Sequence, residues 1–200
     1  MINTWSDEVR IMFHPLVTYG QLAAEPYKKG FRSLLQRLVL VALAFGAFVS
    51  FTVSGRLTIP LLFDGAYFWS FVPILQTLIM AGIVLTFGRG RISTSRALDL
   101  FLMGYGPLLL WMLGIGGTCL FLPLKRNYLL SSQAGWIIAV SLLGIWLWSN
   151  VISFAFLNNA LSFTTLKAGG ALMLYTVMFW GIILSYLFAM EILQLHRLTF

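Results

Sequence analysis

The dominant pattern in the chain is a succession of long apolar runs separated by short polar connections. The hydrocarbon core of a bilayer is about 30 Å thick and a helix rises about 1.5 Å per residue, so one crossing needs roughly 20 mostly apolar residues. Five runs meet that requirement and predict an all-α integral membrane protein with five transmembrane helices. The predicted spans cover approximately residues 35–54, 67–87, 97–122, 135–157 and 171–190.

The overall composition agrees with a protein that folds in lipid. Of the 200 residues, 60% are hydrophobic and only 10% are charged, and the mean hydropathy is +0.90. Ordinary soluble domains carry about 25% charged residues. The composition therefore excludes a typical water-soluble domain.

Residues 1–33 form a separate amphipathic segment, and residues 34–200 form the five-helix transmembrane domain. Pro15 is expected to split the segment into two short helices, because proline is tolerated in a first helical turn but costs about 3 kcal/mol inside a helix. Pro26 is expected to end the second helix. The apolar stripe of this segment either packs on the bundle or lies in the headgroup region as an interfacial helix. The stripe consists of Trp5, Val9, Met12, Leu16, Tyr19 and Ala23.

Three local signals mark the connections and the third span. Residues 59–63 are apolar and are expected to dip into the membrane interface as part of an outer loop. Ser95 is placed to cap the third span, and a kink is expected near Pro107. Asp99 falls in the first turn of that span, where we expect a solvated or snorkelling carboxylate near the interface.

Basic residues are distributed unevenly between the two sides of the predicted bundle. Of the 13 lysines and arginines, nine fall on the side of the N-terminus and four on the opposite side, and the net charge is +7. By the positive-inside rule, we expect the N-terminus to be cytoplasmic and the C-terminus to lie across the membrane. The basic excess indicates anionic lipids rather than nucleic acid as a partner. The candidate headgroup contacts are Lys28, Lys29, Arg32, Arg37, Arg89 and Arg91.

Two spans carry small residues four positions apart, which places these residues on one helix face. Such a ridge lets two helix backbones approach closely, either inside the bundle or against a partner membrane protein. If the ridge of the first span binds a partner, Gly46→Leu should break that association while leaving membrane insertion intact. The ridges consist of Ala42, Gly46 and Ser50 in the first span and of Gly181, Ser185 and Ala189 in the fifth.

Residues able to carry out catalysis are sparse. His14 and His196 are predicted to lie on opposite faces of the membrane, and Cys119 is the single cysteine. We expect no metal site, no cofactor, no catalytic residues and no small-molecule substrate, since no zinc-type spacing and no G-x-S-x-G motif is present. One alternative stays open. Gln76, Asn150 and the glycine-broken third span could line a small polar cavity in a channel or carrier.

Three stretches of the sequence carry a family resemblance: HPLVTYGQLAAEP, then STSRALDL with the nearby GYGPLLL, and finally SFTTLKAGGALML. Together they resemble the Yip family of polytopic membrane proteins, named for interacting with Ypt/Rab GTPases. The chain is similar to the compact prokaryotic members, because it lacks the long N-terminal extension and the DLYGP-like segment of eukaryotic members. This resemblance implies a bacterial cytoplasmic (inner) membrane as its location. The positions that match the family pattern are Pro15, Gly104, Tyr105 and Pro107.

The resemblance implies five membrane spans, a cytoplasmic N-terminal region and a role without known catalysis, such as organising membranes, binding partner proteins or shaping bilayers. With the scarcity of catalytic residues, it leads us to expect a non-enzymatic membrane scaffold or accessory subunit that binds lipids and other integral membrane proteins. The alternative is a small permease or channel.

Overall fold

The computed structural model of the chain describes the backbone of residues 6–26, 31–54, 56–88, 92–121 and 133–198. These residues are almost entirely helical and contain no β-strand. The helices are α1 (Asp7–Phe13), α2 (Pro15–Ala24), α3 (Phe31–Ser54), α4 (Ile59–Trp69), α5 (Phe71–Phe87), α6 (Thr94–Met103), α7 (Gly106–Phe121), α8 (Gln133–Ala155), a π-helical segment (Phe156–Ala160) and α9 (Thr165–Leu198).

Five stretches of the described chain are long and apolar enough to cross a membrane, which confirms the prediction of an all-α, multi-pass membrane protein. The second stretch consists of α4 and α5, and the third consists of α6 and most of α7. Each of these spans is therefore a discontinuous helix. The five stretches are Phe31–Thr52, Ile59–Phe87, Thr94–Thr118, Ala139–Ala160 and Thr165–Ala189.

The N-terminal segment forms the two predicted short helices, and Pro15 occupies the first turn of α2. The predicted stripe is wrong in part, because Leu16 is 53% exposed. The backbone at His14 leaves the helical conformation (φ −135°, ψ 58°), so a helical face cannot continue in phase from α1 into α2. The face that packs on the bundle consists of Ile11, Pro15, Thr18, Tyr19 and Leu22.

The opposite face of the N-terminal segment is also apolar, since it exposes Phe13, Leu16 and Val17. We call α1 and α2 together the N-terminal hairpin. One face of the hairpin thus packs on the bundle while the other carries the apolar side chains typical of an interfacial helix.

The region expected to be an outer loop is helical. The α4 helix begins at Ile59 and carries Pro60 in its first turn, where the missing N–H of proline would have no intrahelical partner in any case. The α4 helix packs along α3. The second span therefore begins about two helical turns before the predicted start at residue 67.

The ridge of small residues on the first span is buried in this contact between α3 and α4. A Cβ atom added to Gly46 would lie 2.5 Å from the carbonyl oxygen of Gly65 and 2.8 Å from the Cα of Ala66. A Cβ added to Gly65 would collide in turn with the side chain of Ser50. Ala42, on the same face, is buried. The ridge therefore packs inside the bundle and is not available to a partner.

The third span is interrupted between Met103 and Gly106, next to Pro107, where the sequence predicts a kink. Proline lacks an N–H, so it cannot supply the helical hydrogen bond to the carbonyl four residues earlier. At the interruption, the N–H of Gly104 donates to the carbonyl of Phe101, three residues earlier, at 3.0 Å. The predicted N-cap is wrong by two residues, because the Ser93 hydroxyl accepts from the N–H of Arg96.

The fourth and fifth spans meet at a tight turn. After the π-helical segment, Ser162 adopts a positive φ of 53°, and α9 begins three residues later. The Lys167 ammonium group then donates to the carbonyl of Phe87 at 2.7 Å. This bond places the start of α9 beside the end of α5, on the side of the bundle that carries the N-terminal hairpin.

We expect Gly46→Leu to destabilise the fold by about 3 kcal/mol or more, because the added side chain meets backbone atoms of α4 that cannot rotate away. The matched control is Gly82→Leu on α5, where an added Cβ has no neighbour within 4 Å. Thermal unfolding of both variants in lipid nanodiscs measures the difference. Equal unfolding midpoints would contradict the close packing of α3 on α4.

Candidate functional site

A polar cavity of about 60 Å³ lies at the break in the third span. Side chains from α2, α5, α8 and α9 surround the break and line this cavity. Six hydrogen-bonding side chains line this small space, although the rest of the bundle is largely apolar. Packing of the helices does not by itself require polar side chains there. The six side chains are Tyr19, Gln76, Tyr105, Ser149, Ser153 and Tyr175.

Glycine at position 104 lets neighbouring helices approach the break. A Cβ atom there would lie 2.9 Å from the Tyr19 hydroxyl and 3.0 Å from the Cγ2 of Ile152. These distances are shorter than ordinary van der Waals contact. The absence of a side chain at Gly104 therefore sets how closely α2 and α8 pack on the third span.

The break also creates hydrogen-bond partners. Because the Gly104 N–H bonds to Phe101, the carbonyl of Leu100 is left to accept from the Tyr19 hydroxyl, at 3.4 Å. Across the cavity, the Tyr105 hydroxyl donates to the side-chain oxygen of Gln76. Burial raises the pKa of the Tyr19 hydroxyl well above its ordinary value, so this group remains a neutral donor.

Aromatic rings form the wall of the cavity. The Phe101 ring lies 6.0 Å from the ring of Tyr105, 5.9 Å from that of Phe156 and 6.0 Å from that of Tyr175, measured between centroids. Tyr19 packs edge-on against Phe156 at 5.7 Å. The contacts of Phe101 with Tyr105 and Tyr175 and of Tyr19 with Phe156 are edge-to-face, a geometry that stabilises aromatic pairs beyond area burial.

A chain of alternating charges lies one turn away from the cavity. Asp99 is completely buried, so the expectation of a solvated or snorkelling carboxylate is wrong. Its two carboxylate oxygens lie 3.0 Å from Arg37 and 3.7 Å from Arg96. Arg37 also lies 3.5 Å from Glu8. A buried carboxylate is tolerated here because two guanidinium groups compensate its charge.

The same region ties the N-terminal hairpin to the bundle. The Arg96 guanidinium donates to the carbonyl of Leu22 at 2.6 Å, and the indole N–H of Trp148 donates to the carbonyl of Met12 at 3.0 Å. With the ion pair between Glu8 and Arg37, these bonds connect α1 and α2 to α3, α6 and α8. The hairpin is thus docked by a few discrete polar contacts around an apolar face.

The predicted lipid contacts divide into three groups. Arg32 is exposed, whereas Arg37 turns inward toward Asp99. Lys28, Lys29, Arg89 and Arg91 lie outside the described residues. Headgroup contact by any of these six residues stays a prediction.

The second ridge, unlike the first, faces outward. Gly181, Ser185 and Ala189 are all exposed on α9, and an added Cβ at Gly181 would have no neighbour within 4 Å. This face of α9 therefore makes no contact with the described part of the bundle at Gly181.

The positions of the family resemblance gather at the two proline-marked breaks. Pro15 opens α2, Gly104 and Tyr105 form the interruption of the third span, and Pro107 lies in the first turn of α7. Gly104 and Tyr105 also line the cavity.

Gln76 and the broken third span line the cavity, as the alternative left open by the sequence requires. Asn150 does not line the cavity and donates instead to the carbonyl of Trp146. Sequence reasoning missed Tyr19 and Tyr175, because both come from segments distant in the chain. The only available signal was a tyrosine hydroxyl in an apolar helix, which needs a partner when buried.

The cavity is lined by five hydroxyl groups and one carboxamide, which donate and accept hydrogen bonds without carrying charge, together with the apolar side chains of Phe101, Leu108 and Ile152. Among the described residues, no cluster of three histidine, cysteine, aspartate or glutamate side chains could hold a metal ion. The arrangement is suited to binding a small neutral polar molecule. Comparison of the chain with models of protein families, with curated proteins and with solved structures found no match.

We expect Asp99→Ala to destabilise the protein by about 3–5 kcal/mol, because it leaves the Arg96 guanidinium buried without its counter-charge. Glu8→Gln is the control at the exposed end of the chain of charges, where the Glu8 side chain is 41% accessible, and it should cost less than about 1 kcal/mol. Unfolding in nanodiscs provides the comparison. A similar small loss in both variants would argue against a buried charge cluster.

Proposed function

We propose that the protein is a non-enzymatic membrane scaffold or accessory subunit that binds other integral membrane proteins and lipids. The observation that carries this proposal is the loose packing of the fifth span. Only 11% of the apolar 18-residue stretch of this span is buried, compared with 22–39% of the corresponding stretches of the other four spans. A span that contributes so little to its own bundle has its surface available to another membrane protein.

The outward ridge of α9 supports this interpretation. In lipid, helices associate through van der Waals contact and small residues rather than through a hydrophobic driving force. Gly181, Ser185 and Ala189 would let the backbone of a partner helix approach closely along that face. The first ridge no longer supports partner binding, because it packs on α4.

The resemblance to the Yip family supports a non-catalytic role in a membrane. The unequal distribution of basic residues supports an N-terminus and hairpin on the cytoplasmic side and a C-terminus on the opposite side, and the resemblance to compact prokaryotic members supports a bacterial cytoplasmic membrane. On the cytoplasmic side, exposed Arg32 is available to anionic lipid headgroups.

We expect Gly181→Leu to abolish association with a partner while leaving the fold intact, because leucine fills the ridge at a position where an added Cβ has no neighbour among the described residues within 4 Å. The matched control is Gly144→Leu on α8, which also adds a side chain in open space. The wild type and both variants are extracted from the native membrane in mild detergent, separated on a native gel and analysed by mass spectrometry.

The proposal requires a stoichiometric co-migrating membrane protein that is lost in Gly181→Leu and retained in Gly144→Leu. Migration of the wild type as a lone monomer would refute it. Loss of the partner in both variants would refute the assignment to this face of α9.

A small permease is the second candidate, favoured by the polar cavity at a discontinuous span. Transporter sites are commonly built where a span is interrupted and the backbone lines a cavity. If the protein is a permease, proteoliposomes should take up a small neutral solute such as urea or glycerol in a saturable manner. Filling the cavity with Ser153→Leu should abolish that uptake. Uptake equal to that of empty liposomes would exclude this candidate for these solutes.

A further inference from the structure

The N-terminal hairpin lies alongside the spans rather than at their end. On the third span, which covers Thr94–Thr118, the guanidinium group of Arg96 donates to the carbonyl of Leu22, close to the start of the span. Four residues further in, the carbonyl of Leu100 accepts from the Tyr19 hydroxyl. Because the contact moves back along α2 as it moves forward along α6, α2 runs antiparallel to α6 beside the third span.

The deep end of the hairpin reaches the middle of two spans. A Cβ atom added to Gly106 would lie 3.7 Å from the Cβ of Glu8, and Gly106 is twelve residues from either end of the third span. The Met12 carbonyl accepts from the indole N–H of Trp148, which is nine residues from one end of the fourth span and twelve from the other. Twelve helical residues correspond to roughly 18 Å, more than half the thickness of the hydrocarbon core.

The outer face of the hairpin changes from apolar to polar along its length. Its deep end exposes Leu16 and Val17, whereas Gln21 and Glu25 are exposed at the shallow end, where α2 approaches the start of the third span. This order follows the polarity of a leaflet, which is apolar in the middle of the membrane and polar at the headgroups. A helix lying flat in the headgroup region would instead carry one polar face along its whole length.

The charged side chains of α1 are paired, as ionisable groups at membrane depth generally are. Asp7 lies 3.5 Å from Arg10, and Glu8 lies 3.5 Å from Arg37 of the first span. Arg10 also donates to the side-chain oxygen of Gln21. Each pair compensates its own charge, which lowers the free-energy cost of holding α1 beside the spans.

We propose that the N-terminal hairpin is a re-entrant membrane element, inserted into the leaflet at which α3, α6 and α9 begin, and that its surface at Leu16 and Val17 binds the acyl chains of that leaflet. Lipid is the occupant because the polarity of the outer face follows that of the leaflet. The inference goes beyond the proposed function, since it concerns the hairpin rather than the fifth span. It also holds for either orientation of the chain in the membrane.

Spin labels measure this depth, because apolar oxygen enters the hydrocarbon core whereas a polar nickel chelate is excluded from it. In a Cys119→Ser background of the full chain in lipid nanodiscs, labels at Val17→Cys and Gln21→Cys compare the two ends of the outer face. Labels at Met173→Cys and Leu166→Cys calibrate the depth on exposed positions of α9, eight residues and one residue from the start of the fifth span.

We expect the ratio of oxygen to nickel collision rates at Val17→Cys to match that at Met173→Cys and to exceed those at Gln21→Cys and Leu166→Cys several-fold. The physical reason is the position of residue 17 between the levels of Leu100 and Gly106, which are six and twelve residues into the third span. All four labelled positions are exposed, so the labels replace side chains that are not part of the core.

Two outcomes would overturn the proposal. A ratio at Val17→Cys as low as that at Leu166→Cys would place the hairpin in the headgroup region or in water. Low collision rates with both reagents at Val17→Cys would show that protein rather than lipid covers this surface. Partner binding at Gly181 affects neither result, so this proposal and the proposed function fail separately.

Discussion

The buried carboxylate of Asp99 imposes the constraint on which much of the arrangement depends. A charge removed from water must be compensated nearby, and the Asp99 oxygens find Arg37 on α3 and Arg96 on α6. Arg37 reaches on to Glu8 of α1, and Arg96 reaches the Leu22 carbonyl of α2. One carboxylate at the start of the third span thus fixes the first span against the third and docks the N-terminal hairpin on both.

The interruption of the same span has a different consequence. Because Pro107 has no N–H and Gly104 has no side chain, the helix breaks where its neighbours come close. Hydroxyl groups from three tyrosines gather around the break, and two of them are bound to the Leu100 carbonyl and to Gln76. The cavity therefore lies where a glycine, Gly104, and a proline, Pro107, interrupt the third span.

Packing density is distributed unevenly over the bundle. The α3 and α4 helices approach so closely that Gly46 and Gly65 leave no room for a Cβ atom, whereas α9 keeps most of its surface exposed. The two ridges of small residues therefore play different parts, one internal and one outward. This contrast, rather than the presence of a ridge, is what supports a partner at the fifth span.

The sequence by itself determined what depends on local chemistry: five apolar stretches long enough to span a membrane, the division of the N-terminal segment at Pro15 and the break near Pro107. Proline and apolar run length act within a few residues, so no distant partner needs to be known. The helical α4, the burial of Asp99 and the internal position of the Gly46 ridge were decided only by the tertiary structure. So was the meeting of Tyr19 with Leu100, 81 residues away. Each of these depends on which helices become neighbours, and residue spacing along one helix carries no information about the surface that the other helix presents.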